Sequence, residues 1–288
     1  GNNPSEPHRQ NKAARTCDKT EQRYFALCGH VDTVPADTVL WDTDPWQLTE
    51  MDEKLYGLGA GDMKGPVACM MKALEQAATA SPGLPASLVL THTEEKGLVG
   101  ARELINTAAA RNELKNMKLI IGEPTSFSLS NAHKGYHGFH IVITGKSAHS
   151  SRPHEGLNVI YAASRVSLKI AEINKPLRKK TLPPFEYGCT ANVGIFQAGD
   201  ILNRVPDKAD LEGDFRYFGY CDADRFTAEL QGLFQSLEKE GFKCSYTPIL
   251  ESPPFFMPAG KGMMGELEKL LDKEPGTLPY TTDASVCT

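Results

Sequence analysis

The sequence predicts an α/β protein with a mostly parallel sheet flanked by helices, and a second, ferredoxin-like domain inserted into the first. Short apolar runs alternate with segments of helical periodicity up to about residue 125, which is typical of parallel sheets covered on both faces. The pattern then changes to the order β-α-β-β-α-β, that of a ferredoxin-like unit. We therefore expect a discontinuous first domain, residues 1–135 and 249–288, and an inserted domain, residues 136–248.

The elements of the first domain follow one another along the chain. Residues 1–22 are polar and without periodicity, so we expect a loop or a disordered lead-in. The apolar run Tyr24–Cys28 predicts a buried strand, which runs into GHVDTVP. A Gly-rich stretch, LYGLGAGD, precedes a helix over residues 63–80, which SPGLP ends. SLVLTHTEE is a second strand, GLVGARELINTAAAR a helix, and LIIGEPT a third strand.

The inserted domain is predicted from alternating and helical patterns in turn. Its segments are the strand GFHIVITG, the helix NVIYAASRVSLKIAEI, the strands TANVGIFQAG and ADLEGDFRYF, the helix DADRFTAELQGLFQSLEKEG and the strand KCSYTPIL.

Composition excludes several classes of protein. The chain has 288 residues, 40% hydrophobic and 23% charged, which suits two globular domains. With 31 Lys+Arg against 36 Asp+Glu, no basic excess indicates nucleic acid or an anionic membrane. No apolar run approaches the roughly 20 residues of a membrane helix. Seven scattered cysteines without a C-x-x-C pair predict reduced thiols and a cytoplasmic location.

Polar residues follow the first predicted strand and the Gly-rich stretch. His30 and Asp32 are two residues apart at a strand end, so their side chains point to one side. A metal-ligating imidazole has its second nitrogen held by a carboxylate or carbonyl, and Asp32 could supply this. Asp62 follows three glycines and opens a helix. By itself it would be a helix cap, and an acid there argues against a phosphate loop.

Acidic residues also end the second and third strands. Glu94 and Glu95 are adjacent, and one can ligate a metal while the other takes a proton from water. Taken alone, such a pair is usually a solvated surface pair. Glu123 follows the third strand. Since parallel strands bring their carboxyl ends to one edge, we expect all these groups to converge. One imidazole with several carboxylates suits Zn²⁺, Co²⁺ or Mn²⁺.

The segments that carry these residues resemble, in their order, the M20 metallopeptidase family, and most of all its members that deacetylate N-acetylornithine. The resemblance runs from about residue 24 to residue 216, with a weaker match beyond. The matching segments are GHVDTVP, W-x-x-D-P-W, KLYGLGAGDMKG, T-E-E-K-G-L-V-G-A, IIGEPT, AHKG, G-K-S-A-H-S-S-x-P-x-x-G-x-N and L-N-R-V-P-D.

The resemblance implies two divalent ions, Zn²⁺ or Co²⁺, and a role for each matched residue. The first ion would be bound by His30, Asp62 and Glu123, and the second by Asp62 and Glu95. Asp32 would orient His30, and Glu94 would be the general base. The peptide bond between Asp62 and Met63 is a candidate for the cis form.

The resemblance also implies that the first domain is catalytic and that the inserted one is a lid through which the chain forms homodimers. His149 would reach the partner's active site and stabilise the oxyanion. Arg216, Asn203 and Lys134 would hold the substrate's carboxylate; His133 could line the same site. The alternative for Arg216 is a surface ion pair with Asp214.

The implied reaction is hydrolysis of the amide bond of an N-acyl amino acid by a metal-bound hydroxide. The first expectation is N-acetylornithine, in arginine biosynthesis. A succinyl-diaminopimelate desuccinylase or another M20 aminoacylase or dipeptidase is the alternative within the family. Outside that class, the chain could be a non-catalytic dimerising relative or a binding module for amino acids.

The sequence departs from the family pattern at several places. Thr93 stands where relatives carry an aspartate, and Pro66 is unusual in DMKGP. The chain stops at Thr288, before the family's last metal-ligating histidine, and both ends look truncated. We therefore expect this chain to bind the first ion well and the second poorly, with impaired activity.

Overall fold

In the computed structural model, the chain forms two compact units. The described residues are 12–15, 25–107, 114, 117–219 and 221–287. The first unit comprises residues 1–129, 258–275 and 282–288, and the second comprises residues 130–257 and 276–281.

The first unit is built on a four-stranded sheet in the order β1-β5-β2-β6. Strand β2 is parallel to both β5 and β6, and β1 pairs antiparallel with β5. The predicted mostly parallel sheet with helices is therefore confirmed. The elements in chain order are β1 (Lys12–Arg15), β2 (Phe25–His30), β3 (Thr49–Met51), β4 (Lys54–Tyr56), α1 (Gly65–Ala80), β5 (Ala86–Thr91), α2 (Val99–Asn106) and β6 (Lys118–Ile121).

Helix α1 packs on one face of this sheet because its apolar residues recur at helical spacing. Val67, Met70 and Leu74 are buried against side chains of β2 and β5. On the opposite face, Ala26 and Cys28 pack with Leu104 of α2 and with β6. The alternation of side chains along β2 thus supplies both cores. Pro66 lies in the first turn of α1, where a missing N–H costs no hydrogen bond.

Strand β1 corrects one prediction. A loop or a disordered lead-in is predicted over residues 1–22, but Lys12–Arg15 pairs antiparallel with β5 along the edge of the sheet. A strand pairs with its neighbour through backbone hydrogen bonds, so four residues can form an edge strand without alternating apolar and polar side chains. The sequence pattern therefore does not indicate this strand. The other residues of 1–22 lie outside the part of the chain that the structure describes.

The second unit contains the predicted order β-α-β-β-α-β. Its main sheet has the order β10-β12-β8-β13, with every neighbouring pair antiparallel. The elements are β7 (Ser130–His133), β8 (Gly135–Thr144), β9 (Ala148–His149), α3 (Val159–Lys179), β10 (Thr190–Ala198), β11 (Arg204–Val205), β12 (Lys208–Tyr217), α4 (Ala223–Lys239), β13 (Lys243–Ser252) and β14 (Phe255–Phe256).

One core joins the two helices of this unit to its sheet. Helix α3 buries a stripe at helical spacing that includes Val159, Ala163 and Val166. Helix α4 buries Phe226 and Leu230 against the same strands. The strands contribute buried apolar residues from alternate positions, including Phe139, Ile141, Ile143, Leu211 and Phe215.

The chain then returns in a short helix, α5 (Gly262–Leu271), and a short strand, β15 (Gly276–Leu278). Strand β7 pairs antiparallel with β14 and parallel with β15, which gives a three-stranded sheet within the second unit. Among the described residues, no helix has both the length and the apolarity needed to cross a bilayer.

Candidate metal centre

Three parallel strands of the first unit end at one edge of the sheet, and each ends next to a predicted site residue. His30 is the last residue of β2, Glu94 and Glu95 follow β5, and Glu123 follows β6. Asp62 comes from the loop before α1. Gly59 in this loop has φ +78°, a left-handed conformation that glycine adopts without steric cost, and this allows the chain to turn sharply there. The Asp62–Met63 peptide bond is cis, as predicted.

His30, Asp62 and Glu123 lie close enough to share one ion. One ligand atom from each of them lies within 4.8 Å of the other two. Nε2 of His30 is 2.9 Å from Oδ1 of Asp62. His30 is fully buried, whereas the side chain of Asp62 is half exposed. Glu95 does not belong to this three-residue group. Burial raises the pKa of its carboxyl, and the negative charge of Asp62 adds to the rise.

Asp32 connects the histidine to the two adjacent glutamates. Nδ1 of His30 lies 3.1 Å from the backbone oxygen of Asp32 and 3.5 Å from its Oδ1. The carboxylate oxygens of Asp32 accept hydrogen bonds from the backbone N–H groups of Glu94, at 3.1 Å, and Glu95, at 3.2 Å. Burial favours the neutral form of Asp32, but these hydrogen bonds outweigh it and lower the pKa of the carboxyl. Asp32 therefore stays charged, and its contacts hold the imidazole ring of His30 and the loop of Glu94 and Glu95 in place.

The loop that carries the glutamates is held by its own backbone. Thr93 has φ +60°, and the N–H of Gly97 donates to the carbonyl of Glu94 at 2.9 Å. The N–H of Gly100, in α2, donates to the carbonyl of His92 at 3.0 Å. A Cβ atom on Gly100 would lie 2.1 Å from that oxygen, so only glycine allows this approach of helix and loop.

The crowding of carboxyl groups shifts several pKa values. Burial, together with the charges of Glu123 and Asp283, raises the pKa of Glu94 to about 8. Burial likewise raises the pKa of Glu123 to about 7, and the neighbouring carboxylates add to the rise. Burial lowers the pKa of His30, but its hydrogen bond to Asp32 and the surrounding acids outweigh that effect and raise it to about 10. A site so rich in negative charge is suited to cations.

Asp283 is a member of the cluster that sequence reasoning missed. It is fully buried, and its Oδ2 accepts a hydrogen bond of 2.7 Å from the hydroxyl of Thr91, the last residue of β5. Its Oδ1 is buried and has no hydrogen-bond partner among the described residues, and burial raises the pKa of the carboxyl. The signal in the sequence was an acid in TTDAS, together with a polar residue at the end of an apolar strand.

The residues of this cluster fit a divalent metal ion by their chemistry. Nδ1 of His30 is tied to Asp32, so Nε2 is the nitrogen left for a ligand bond, and it faces Asp62. Imidazole and carboxylate ligands with a carboxylate behind the imidazole are typical of zinc and cobalt sites. Three ligand residues leave room for a further ligand, as in catalytic sites.

The other predicted residues lie in the second unit, where His149 and Asn203 are neighbours. His149 is on β9, which pairs with β11, and the N–H of Ser150 donates to the carbonyl of Asn203 at 3.0 Å. His149 is exposed. Its Nδ1 accepts a hydrogen bond of 3.2 Å from the N–H of Ser151. The neutral ring therefore carries its proton on Nε2, which can donate to an oxyanion.

Two cationic residues of this unit, Lys134 and Arg216, are also predicted to bind substrate. Nε of Arg216 donates to Asp214 at 2.8 Å, the ion pair named above as the alternative for this residue. Its guanidinium also stacks 4.3 Å from the ring centroid of Tyr136. Lys134 is buried and donates to the carbonyl of Gly188. Burial lowers the pKa of Lys134, and the charge of Arg216 adds to this.

His133, the other residue considered for the anion site, is buried beside Lys134 and directs Nδ1 to the carbonyl of that residue at 2.9 Å. Burial lowers its pKa, so the ring is neutral.

Comparison with known proteins identifies the family. The profile described as peptidase family M20/M25/M40 matches residues 26–287. The chain belongs to this peptidase family. It is 34% identical over 266 residues to the acetylornithine deacetylase of Pasteurella multocida, which covers 90% of this chain and 68% of that protein. It is also 34% identical over 262 residues to the acetylornithine deacetylase of Photorhabdus laumondii, covering 90% and 67%.

Two solved structures share the fold. Aminopeptidase PepT from Bacillus cereus matches with a TM-score of 0.69 at 20% identity, over 96% of this chain and 72% of that one. An M20 family metallo-carboxypeptidase from Sulfolobus solfataricus matches with a TM-score of 0.68 at 18% identity, over 95% and 76%. As a member of the M20 family, the chain is a metal-dependent hydrolase that acts on amide bonds.

Proposed function

We propose that this protein hydrolyses the amide bond of N-acyl amino acids, with N-acetylornithine as its substrate. The observation that carries the proposal is that ligand atoms of His30, Asp62 and Glu123 lie close together, beside a half-buried Glu94 whose pKa is raised to about 8. The identity of 34% to acetylornithine deacetylases over 90% of the chain supports the choice of substrate. Zn²⁺ or Co²⁺ is the proposed metal, and two ions are the proposed number.

The proposed ligands follow the geometry of the first unit. His30, Asp62 and Glu123 would hold one ion, and Asp62 with Glu95 would contribute to the second. Bound there, the ions would polarise the amide carbonyl and acidify a water molecule. Asp32 keeps Nδ1 of His30 protonated and turned away from the ions.

Glu94 is the proposed proton carrier. Its carboxylate would accept a proton from the attacking water and deliver it to the nitrogen of the leaving amine, so that acid and amine form with no net change in protons on the enzyme. A carboxyl group whose pKa lies near neutral pH can serve in both directions. Burial of the side chain is the largest cause of the raised pKa.

Residues of the second unit are proposed to bind the rest of the substrate. His149 would donate from Nε2 to the developing oxyanion, which is consistent with an acceptor role for its Nδ1. Arg216, Asn203 and Lys134 would hold the α-carboxylate. The stacked guanidinium of Arg216 offers planar donors that suit a carboxylate.

We propose that the chain acts as a homodimer formed through its second unit. Strand β10 lies at the edge of the main sheet, with exposed side chains over much of its length. Ile195 and Phe196 on this strand, and Tyr161 and Leu168 on α3, are large apolar residues left exposed. Exposed edges and apolar patches of this kind are sites of association.

A place in arginine biosynthesis and a cytoplasmic location complete the proposal. The product of the proposed reaction is ornithine, a precursor of that amino acid. None of the six described cysteines forms a disulfide bond with another of them, which is consistent with a reducing compartment.

The test is hydrolysis of N-acetyl-L-ornithine by the purified protein after metal removal, with and without added Zn²⁺ or Co²⁺. The products, ornithine and acetate, are quantified. We expect metal-dependent release, and a loss of roughly 10²–10⁴-fold in kcat for Glu94→Gln at unchanged metal content. Glu75→Gln, on the exposed face of α1, is the matched control and is expected to be as active as the wild type.

Other outcomes would point elsewhere. Release from N-succinyl-diaminopimelate or from a dipeptide, but not from N-acetylornithine, would replace the substrate and keep the reaction. Full activity of Glu94→Gln would overturn the assignment of Glu94. Binding of amino acids that survives complete metal removal, without hydrolysis, would favour a binding module.

A further inference from the structure

The side chain of Met63 fills the space directly behind the proposed metal ligands. It is fully buried in the core cluster that joins α1 to the sheet. Met63 follows Asp62 in the chain, so its position and that of the carboxylate are linked through one peptide bond. Neither charge nor hydrogen bonding explains a methionine here; only packing does.

Two glycines receive this side chain. A Cβ atom on Gly29 would lie 2.6 Å from Cε of Met63, and a Cβ atom on Gly122 would lie 3.4 Å from the same atom. The first distance is far shorter than any real contact, so the methionine reaches the backbone of β2 only because residue 29 has no side chain. The two strand ends are themselves joined, because the N–H of Gly122 donates to the carbonyl of Cys28 at 3.1 Å.

Each of these three residues is the chain neighbour of one proposed ligand. Gly29 precedes His30, Gly122 precedes Glu123, and Met63 follows Asp62. A single apolar contact thus joins the three backbone segments whose ligand atoms lie within 4.8 Å of one another. Interiors are close-packed, so a change of volume at this contact displaces the attached backbone.

We propose that Met63 is a positioning residue for the metal centre: by packing against Gly29 and Gly122, it keeps the carboxylate of Asp62 close enough to His30 and Glu123 for the three to hold one ion. The inference rests on the proposed function only in taking these three residues as ligands. The inference adds that the distances between the ligand atoms depend on the packing of Met63 as well as on the loops that carry the ligands.

The test measures metal affinity and not turnover. Co²⁺ and Zn²⁺ affinities are measured by competition with a chromophoric chelator, and the Co²⁺ absorption spectrum reports ligand geometry. We expect Met63→Ala to weaken binding by roughly 10–100-fold, the range found when residues supporting ligands are removed. Met63→Leu, which conserves volume, is expected to bind within a few-fold of the wild type.

Leu74→Ala is the matched control. Leu74 belongs to the same buried cluster and adjoins no proposed ligand in the chain, and its atoms are not among the nearest neighbours of a Cβ on Gly29 or on Gly122. Both truncations leave a cavity and should lower the unfolding free energy of the metal-free protein to a similar extent. Only Met63→Ala should lose affinity and alter the Co²⁺ spectrum.

A second route tests the contact if Met63→Ala does not fold. Gly29→Ala adds one methyl group at the same place and should also weaken binding. Gly29→Ala combined with Met63→Leu or Met63→Ala should bind more tightly than Gly29→Ala alone, since the shortened side chain makes room.

The outcomes are distinguishable. Wild-type affinity in Met63→Ala, or an equal loss in Leu74→Ala, would overturn the positioning role and leave the metal centre intact. A wild-type protein that binds neither Co²⁺ nor Zn²⁺ would overturn the metal centre itself, and this inference with it.

Discussion

Nε2 of His30 lies 2.9 Å from Oδ1 of Asp62, although 32 residues separate the two in the chain. The histidine ends a buried strand, and the aspartate belongs to a Gly-containing loop before a helix. Their meeting is the product of a parallel sheet, which brings the loops after its strands to one edge. Several consequences of this arrangement can be measured.

The stability of the metal-free protein should fall as pH rises. The pKa values of Glu94 and Glu123 are raised to about 8 and about 7. The folded chain therefore binds protons that the unfolded chain has already released, and stability decreases with pH between about 5 and 8. His30, whose pKa is raised to about 10, extends the decrease above its unfolded value of 6.5. Thermal unfolding of chelator-treated protein at a series of pH values measures this.

Added metal should reverse that trend, because metal ions bind the deprotonated groups. Addition of Zn²⁺ is expected to raise the melting temperature more at pH 8 than at pH 6. The control is Asp62→Asn, which should respond far less at either pH. An equal rise at both pH values would contradict the assignment of these acids and of His30 as the binding groups.

The proposed dimer can be tested by mixing two inactive variants. His149→Ala lacks the proposed oxyanion donor, and Glu94→Gln lacks the proposed proton carrier. If His149 acts in the partner's site, each mixed dimer contains one complete site, and random exchange restores about a quarter of wild-type activity. Activity assays after subunit exchange measure this. If the mixture stays inactive while native mass spectrometry detects mixed dimers, His149 does not act across the dimer.

The core of the second unit should respond strongly to truncation. Leu230 of α4 is fully buried, and Leu230→Ala is expected to lower the unfolding free energy by about 2–5 kcal/mol. Leu168→Ala on α3 is the control, since this leucine is 65% exposed, and its effect should stay within about 0.5 kcal/mol. Urea denaturation followed by circular dichroism measures both. Equal effects would mean that the helix faces are assigned wrongly.

The cysteines should differ sharply in reactivity. Cys69 is exposed on α1, whereas Cys28 is buried. Burial and the charge of Asp283 raise the pKa of Cys28, and the same two causes raise that of Cys287 to about 12, so both remain thiols. Iodoacetamide followed by peptide mapping should modify Cys69 first, and Cys28 only after denaturation. Modification of Cys28 at the rate of Cys69 would contradict its burial.

Much of the first unit could be predicted because its signals are local. Short apolar runs that end in His30, Glu94 or Glu123 predict both the strands and the edge where they end. A parallel sheet then requires those ends to be neighbours. The glycines before Asp62 likewise predict a turn, and Gly59 supplies it with its positive φ.

Other features depend on distant segments and left little local signal. Asp283 meets Thr91 across 192 residues, a contact that follows from the path of the returning chain. The packing of Met63 against Gly29 and Gly122 likewise cannot be predicted from the sequence, because an apolar residue type does not show which distant segment it contacts.

Strand β13 contains a third feature that the sequence pattern does not predict. Tyr246 and Glu251 are five residues apart and would point to opposite faces of a regular strand. An irregularity between Pro248 and Leu250 shifts the register, and both side chains hydrogen-bond His137, Glu251 at 2.7 Å. A bulge is set by long-range pairing, so periodicity alone cannot predict it.

The pairing of β7 with β14 has a consequence for how such a protein can evolve. Residues 130–257, the longer segment of the second unit, begin with β7 and end just after β14, and these two strands lie side by side, with His133 opposite Phe255. A segment whose ends are neighbours can be inserted or exchanged as one genetic cassette, because the flanking chain needs to bridge only a short gap. Changes confined to this segment could therefore leave the sheet of the first unit and its acidic edge as they are.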